Sequence, residues 1–545
     1  MIGRPRGPAG GWRREAAVVA VAGTAVFAVT LVPYILAAAG APAGKVFNGF
    51  FFIADDASTY VAKMREGADG AWGWRDPYIS NPVANPVLLF FFYILWGKLT
   101  ALLHLSMFVG YHLARLGGAI ALVAASRSLA RMCLPTTRTR RVAVVFAVGG
   151  SGLGWILSLA AALTGWHSVA GQHLDALELH LPELSGFYSI IAIPHFSLAA
   201  ALMAWAVVGL VSLADAEGPG AWRRPMAMAV ASMLALTLIH PQMLFVLAPL
   251  VVSYHALARR PWRRWGSCVV PFAACLPLLL YFLRVLTADP VVRAWSHQWR
   301  HQAPEMLGFV FALGLPLILA LVAVASRGLS ARLRLMAVWV GLVFVLLYLP
   351  NPVNIQRRLI DGIYLPVAIL AAAGLEVLIS RRRTRARGPL RTPGPIVVLA
   401  VGVSLVMSAL VWTIGMSAAL GREPIIFADR GELKAIEWLS AHRDPGLPPA
   451  VLSHPGTGLF IPERSGYRVY VGHYSETIDY LARSAMAFDA YRAGDANLIV
   501  LMRREGVEYL FFGPLEGGIG GPAPTDSRLQ KVYDQDGARI YRLSG

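Results

Sequence analysis

Charge is scarce in this chain. Asp, Glu, Lys and Arg make up 15% of its 545 residues while hydrophobic residues reach 56%, which excludes an ordinary soluble globular domain. Acids are scarcer than bases, 31 against 49, leaving a net charge of +18. The arginines fall in short loops between apolar runs, so the excess reads as a topology signal and not as a nucleic-acid-binding face. Cysteine is nearly absent. Cys133, Cys268 and Cys275 lie in or beside apolar runs, with neither metal-ligand spacing nor a disulfide framework. No glycine-rich phosphate cradle, internal repeat or low-complexity tract beyond an alanine bias occurs. The basic start and the long apolar run after it lack a convincing cleavage site, so that run is expected to stay as a first span.

What the chain has is a series of apolar runs near the length that crosses about 30 Å of hydrocarbon. They predict a polytopic α-helical membrane protein with about eleven spans, near 16–40, 107–130, 142–163, 188–213, a pair within 226–257, 266–286, 305–325, 335–350, 359–379 and 394–417. The run 226–257 has arginines at both ends, so it is read as two short helices turning at His240-Pro241-Gln242. The run 87–103 is read as a juxtamembrane or re-entrant helix. A full crossing there would put Arg127, Arg131, Arg138, Arg140 and Arg141 outside, against the positive-inside rule. On this reading the N-terminus is cytoplasmic, and Arg381 to Arg387 is the strongest cytoplasmic marker. Alanine- and arginine-rich, lysine-poor usage is that of a GC-rich bacterium, so the expected location is the bacterial plasma membrane.

Composition changes near residue 420, where apolar runs shorten and charges of both signs mix. Two domains are expected: a transmembrane domain over 1–419, with a first outer loop at 41–84, and an extracytoplasmic α/β domain over 420–545. In the latter, 432–441 and 476–492 read as helices and 450–453, 468–472 and 508–513 as strands. Asp536-Gly537 is a hairpin turn within 532–543.

The polar residues separate by side. Cytoplasmic loops hold almost nothing but Arg, whereas outer loops hold Asp, Glu, His and Trp. The first outer loop carries Phe52-Ile53-Ala54-Asp55-Asp56-Ala57-Ser58-Thr59-Tyr60. Two adjacent carboxylates at a bilayer boundary cost desolvation and mutual repulsion, which a need for a base or a cation would explain; a helix N-cap would also do so. An outer compartment supplies no nucleotide-activated sugar, so group transfer there needs a donor already activated in the membrane. Such a reaction needs a carboxylate to take the acceptor's proton and cations for the departing lipid phosphate. Asp55 or Asp56 fits the first role. Arg357 and Arg358, with His195, His240 or His297, fit the second, and Tyr60 is a further substrate-binding candidate. His167, His173 and His180 do not share one helix face, so a metal site there is not expected. No cofactor is implied. Asp55 and Asp56 offer oxygen ligands to a divalent cation, but adjacent residues rarely chelate one ion together.

The early Asp-Asp pair, the Asn81-Pro82 and Asn85-Pro86 punctuation after it, the many spans and the terminal α/β domain resemble the GT-C glycosyltransferases. Within them the pattern is similar to the bacterial protein-mannosyltransferase and aminoarabinose-transferase branch. Gln356-Arg357-Arg358 resembles stretches in other bacterial members. The resemblance implies Asp55 or Asp56 as catalytic carboxylate, a polyprenyl-phosphate sugar as donor, inversion at the anomeric carbon, and a glycan, lipid or protein acceptor outside. The Asn-Pro pairs replace the family's more usual His-Pro-Pro or Pro-Pro. Two other readings stand beside the transferase: a flippase for a lipid-linked intermediate, and a non-catalytic scaffold on the same fold.

Overall fold

The computed structural model describes residues 11–80, 86–165, 168–169, 172–173, 176–261, 264–298, 302–350, 355–385, 394–443, 446 and 449–544. The Asn81-Pro82 pair, Asn85, His167 and Asn351 to Asn354 lie outside them. Among the described residues, eight helices are long and apolar enough to cross a bilayer: Arg13–Ala39, Met107–Cys133, Pro194–Ala214, Trp265–Ala288, Met306–Val324, Ala331–Tyr348, Tyr364–Arg382 and Gly394–Gly421. Thr137–Gly149 and Gly154–Thr164, bent by 44°, form a ninth span if taken together. The expected eleven are reached only with Arg223–Ile239 (17 residues) and Leu244–Leu257 (14 residues), which meet at His240 and are too short to count by length.

Two compact units divide the chain. The first comprises Met1–Val32, His112–Pro277 and His301–Ile414; the second comprises Pro33–Tyr111, Leu278–Arg300 and Gly415–Gly545.

In the first unit, the arginines expected on one side of the membrane fasten helix ends to one another. Arg131 and Arg127 pair with Glu15, and Arg138 with Glu376. Asp215 accepts from Arg260 (2.5 Å), Arg332 (2.9 Å) and the Tyr254 hydroxyl (2.8 Å), while Arg332 also donates to the Met132 carbonyl. These contacts join the starts of Arg13–Ala39, Thr137–Gly149 and Ala331–Tyr348 to the ends of Met107–Cys133, Pro194–Ala214, Leu244–Leu257 and Tyr364–Arg382.

The second unit contains the α/β fold expected near the C-terminus. Its sheet runs in the order Arg468–Val469, Ala450–Leu452, Val507–Phe512, Ala538–Leu543, Leu529–Gln535. The first three strands are parallel and the last two form an antiparallel hairpin. Asp536 and Gly537 take φ of 51° and 80°, the two left-handed residues of the turn that matches strand twist. Asp429 caps the helix Arg430–Ala441 by accepting from the amides of Gly431 and Glu432. The helix expected from residue 476 begins instead at Tyr480, because Asp479 is left-handed (φ 56°) and interrupts it. A further helix, Asp495–Glu505, follows it.

The outer loop belongs to this unit. Lys45–Phe47 pairs antiparallel with Phe427–Asp429, and Tyr78 lies in the apolar core under the sheet with Ile461, Val469 and Phe511. The run expected as juxtamembrane or re-entrant is the helix Phe91–Leu102, 12 residues and so about 18 Å long, too short to cross. It packs on the helix Ala54–Ala68 through two glycines. A Cβ on Gly97 would meet the Met64 carbonyl oxygen at 1.8 Å, and one on Gly67 the Ile94 carbonyl oxygen at 2.0 Å. Backbones this close leave no room for a side chain on either helix. Gly97→Val is expected to lower the unfolding midpoint in detergent, at a cost of about 1–3 kcal/mol from overpacking. An unchanged midpoint would show that the helices are not in contact.

Candidate active site

Asp55 and Asp56 occupy the first turn of the helix Ala54–Ala68, where a carboxylate is stabilised by the amide dipoles. The residue before it, Ile53, is left-handed (φ 48°) and provides no side-chain cap. A β-branched residue pays strain of order 1–3 kcal/mol in that conformation. The chain is therefore held in a costly turn at the point where the two acids enter the helix.

The acids have different surroundings. Asp56 Oδ1 lies 3.2 Å from Nε2 of His473, which is buried. The Ser475 amide donates to His473 Nδ1 at 3.2 Å, which holds the ring with Nε2 as the nitrogen nearer the carboxylate. His473 follows the strand Arg468–Val469 at the carboxyl edge of the parallel part of the sheet, where open α/β folds place binding groups. Asp55 is open to solvent. Partial burial holds its carboxyl above the ordinary range, against the pull of His473, and repulsion from Asp56 adds to the rise. The pair therefore divides into a carboxylate beside a buried imidazole and a more accessible one whose carboxyl lies above its ordinary range.

Along the same helix, Tyr60 stacks on Tyr93 with ring centroids 4.4 Å apart. One turn on, Lys63 is fully buried. Its ammonium donates to Glu476 (3.0 Å) and Thr59 (3.2 Å) and lies 4.1 Å from the Phe90 ring centre. Glu476 is three residues beyond His473, so this ion pair anchors the loop that carries the imidazole. Gln298 steadies the loop from another side by donating to the carbonyls of Ser475 and Thr477. Its neighbour His297 is exposed. His454 caps the helix Pro455–Ser465, its Nδ1 accepting from the Gly456 amide at 2.9 Å.

The other candidates lie in the first unit and converge there. His195 stands at the start of Pro194–Ala214, directly after its first-turn proline. His240 forms the turn before Pro241, where the following proline favours extended backbone. The two rings lie 5.1 Å apart, and His240 Nδ1 is 2.6 Å from Asp361 Oδ2. Arg357 and Arg358 are on the short 3-10 helix Gln356–Ile360, which ends at Asp361; Gly362 (φ 74°) then turns the chain into the next span. Arg358 lies 3.8 Å from Glu183, which is buried. Burial raises the Glu183 carboxyl, while Arg358 and Arg357 oppose the rise. Arginines and histidines brought together with two acids can hold an oxyanion and orient it.

Sequence reasoning picked neither Asp361 nor Glu183 as a partner, nor His473 and Glu476 as the groups that complete the acid pair. His473-Tyr474 marks itself in the sequence as a histidine next to an aromatic, but the pairings themselves are long-range and leave no local signal. Among the described residues no three His, Cys, Asp or Glu side chains are grouped to hold a metal ion.

The fold is that of the GT-C glycosyltransferases. The archaeal oligosaccharyltransferase AglB from Archaeoglobus fulgidus, in complex with an inhibitory peptide and a dolichol-phosphate, superimposes with a TM-score of 0.53 at 12% identity, over 92% of this chain and 69% of that one. ArnT from Cupriavidus metallidurans, bound to undecaprenyl phosphate, gives 0.52 at 12% identity, over 98% and 99%. The mycobacterial arabinofuranosyltransferase AftD gives 0.53 at 18% identity, over 98% of this chain but 42% of that one. No family model matches the chain, and no curated protein matches it by sequence.

Removing one side of the buried ion pair should be costly. Lys63→Met is expected to destabilise by about 3–5 kcal/mol, because it leaves a buried carboxylate without its cation, and adding Glu476→Leu should recover most of the loss. Thermal unfolding of the two single variants and the double variant measures this; additive losses would deny the coupling.

Proposed function

We propose that this protein is a membrane glycosyltransferase that moves a sugar from a polyprenyl-phosphate donor to an acceptor on the extracytoplasmic face. The observation that carries the reading is the split acid pair: Asp56 beside the Nε2 of a buried histidine, and Asp55 open with a carboxyl above its ordinary range. The acceptor hydroxyl attacks the anomeric carbon as Asp55 takes its proton. The bond from that carbon to the phosphate oxygen breaks, the configuration inverts, and the polyprenyl phosphate leaves. Within the first unit, Arg357 and Arg358, with His195 and His240 held beside Asp361, offer cationic and hydrogen-bonding groups suited to a lipid phosphate. The dolichol-phosphate on AglB and the undecaprenyl phosphate on ArnT support a lipid-phosphate carrier. The inhibitory peptide on AglB supports a protein acceptor, beside which a glycan or lipid acceptor stands as an equal reading. The reading places the protein in the bacterial plasma membrane, with a cytoplasmic N-terminus and an extracytoplasmic C-terminal domain.

Three measurements test it. Asp55→Asn should lower the transfer rate by about 10²–10⁴, the range for a lost general base, while binding of a polyprenyl-phosphate sugar stays unchanged. Arg357→Gln with Arg358→Gln should instead weaken donor binding. Transfer by Asp55→Asn at the parent rate would refute the role of the acid, and translocation without transfer would favour a flippase. Because Asp55 must be ionised to act, the rate should fall with decreasing pH at a midpoint above the usual carboxylate range and level off above it. Transfer should also survive EDTA; loss restored by a divalent cation would assign the acids to metal binding instead.

A further inference from the structure

Further along the helix that carries Asp55, a cavity of about 340 Å³ opens within the second unit, its wall formed by that helix, the segment after it and the C-terminal domain. Glu66, Asp69, Arg75, Asp76, Arg443 and Arg468 lie on the wall. Glu66 is three helical turns beyond Asp55, about 16 Å at 1.5 Å per residue, so the cavity is not the site of the acid pair. Its volume suits a small-molecule ligand, for which sites span about 300–1,000 Å³.

The six side chains do not cancel one another. Arg443 pairs with Asp69, which also takes Arg65. Arg468 is buried and donates to the backbone carbonyls of Ser80 and Ile79. Arg75 is close enough for repulsion to add to the burial that brings the Arg468 guanidinium down to about 10. Asp76 is 7% exposed; its Oδ1 accepts from the Tyr78 amide at 2.8 Å, and its Oδ2 has no hydrogen-bond donor in the structure. The buried cation in this region, Lys63, is taken by Glu476. Burial, then repulsion from Glu476, pushes Asp76 well above the carboxylate range, and burial pushes Glu66 up to about 8. At neutral pH Glu66 holds its proton, and its Oε1 accepts from the Arg75 amide at 3.2 Å. Two guanidiniums held near each other beside a protonated Glu66 form a wall rich in donors, whose complement is an oxyanion. The carboxyl C=O groups and Asp69 accept from hydroxyls beside it.

We propose that this cavity binds a sugar bearing an oxyanion, a phosphate or a carboxylate, at a site distinct from Asp55 and Asp56. Calorimetric titration of the full chain in detergent, with glucose 6-phosphate, glucuronate, inorganic phosphate and glucose, tests it. At least one acidic sugar should bind tenfold or more tightly than inorganic phosphate or glucose, and the better of the two identifies the anion. Arg75→Gln should weaken that binding at least tenfold. Ala71→Phe, which fills the cavity wall and leaves the guanidiniums in place, should abolish it. Raising the pH from 7 to 9 should weaken it in the parent protein, as Glu66 loses its proton and adds negative charge. Asp55→Asn should bind as the parent does. The proposal fails if neither acidic sugar binds, if inorganic phosphate binds as well as they do, or if Ala71→Phe keeps full affinity. It also fails if Asp55→Asn, and not Arg75→Gln, removes binding. Should Arg75→Gln not fold, Ala71→Phe and the pH series decide.

Discussion

An ammonium without solvent exposure organises the second unit. Lys63 lies among the rings of Phe90, Tyr60 and Trp74, at 4.1, 5.2 and 5.8 Å from their centres, and its charge is met by Glu476 at 3.0 Å. Taking such an ion out of water costs several kcal/mol, recovered only when geometry and hydrogen bonding are good. Three aromatic faces and the Thr59 hydroxyl provide that geometry. The cation comes from the outer-loop helix and its counter-ion from the C-terminal domain. Their pairing therefore fixes the loop 473–479, and with it the imidazole beside Asp56. Glu476 also repels Asp76, while Lys63 draws it the other way, so one buried pair bears on both the acid site and the cavity further along the helix.

Close backbone packing serves the same end. Gly67 and Gly97 let the acid-bearing helix and Phe91–Leu102 touch backbone to backbone, so the aromatic rings around Lys63 close over the ammonium. The strained Ile53 fits this picture. A left-handed β-branched residue persists only where its surroundings over-determine it, and here it aims the first turn of the helix and its two carboxylates. In the first unit the analogous device is the turn at His240, where Pro241 shapes the backbone and Asp361 holds the ring. Both sites thus rest on local backbone constraint stabilised by a partner from a distant part of the chain.

Several features were legible in the sequence because they depend on near neighbours. Long apolar runs marked the spans, and paired arginine clusters showed that 226–257 turns back at His240. The Asp536-Gly537 dipeptide gave the hairpin its turn. Other features were obscured by local competition. The helix expected from residue 476 starts later because Asp479 takes a left-handed conformation, and the shortness of Phe91–Leu102 is hidden by the apolar residues that precede it. In the sites, the sequence offered Asp55 and Asp56 as a pair of equals, and Arg357 and Arg358 without their acids.

The sequence by itself determined the class of the protein: membrane-spanning helices, an acid pair in the loop after the first span, and a small α/β fold at the end. These follow from hydrophobic length, charge placement and turn chemistry, all properties of residues close in the chain. Tertiary structure decided which acid sits beside a buried imidazole and which is open, and which histidine has a carboxylate beside it. Those choices depend on desolvation and on partners 121 residues away for His240 and 413 for Lys63. A charge buried by folding takes its properties from whatever the fold brings within a few ångströms, and no local pattern records that.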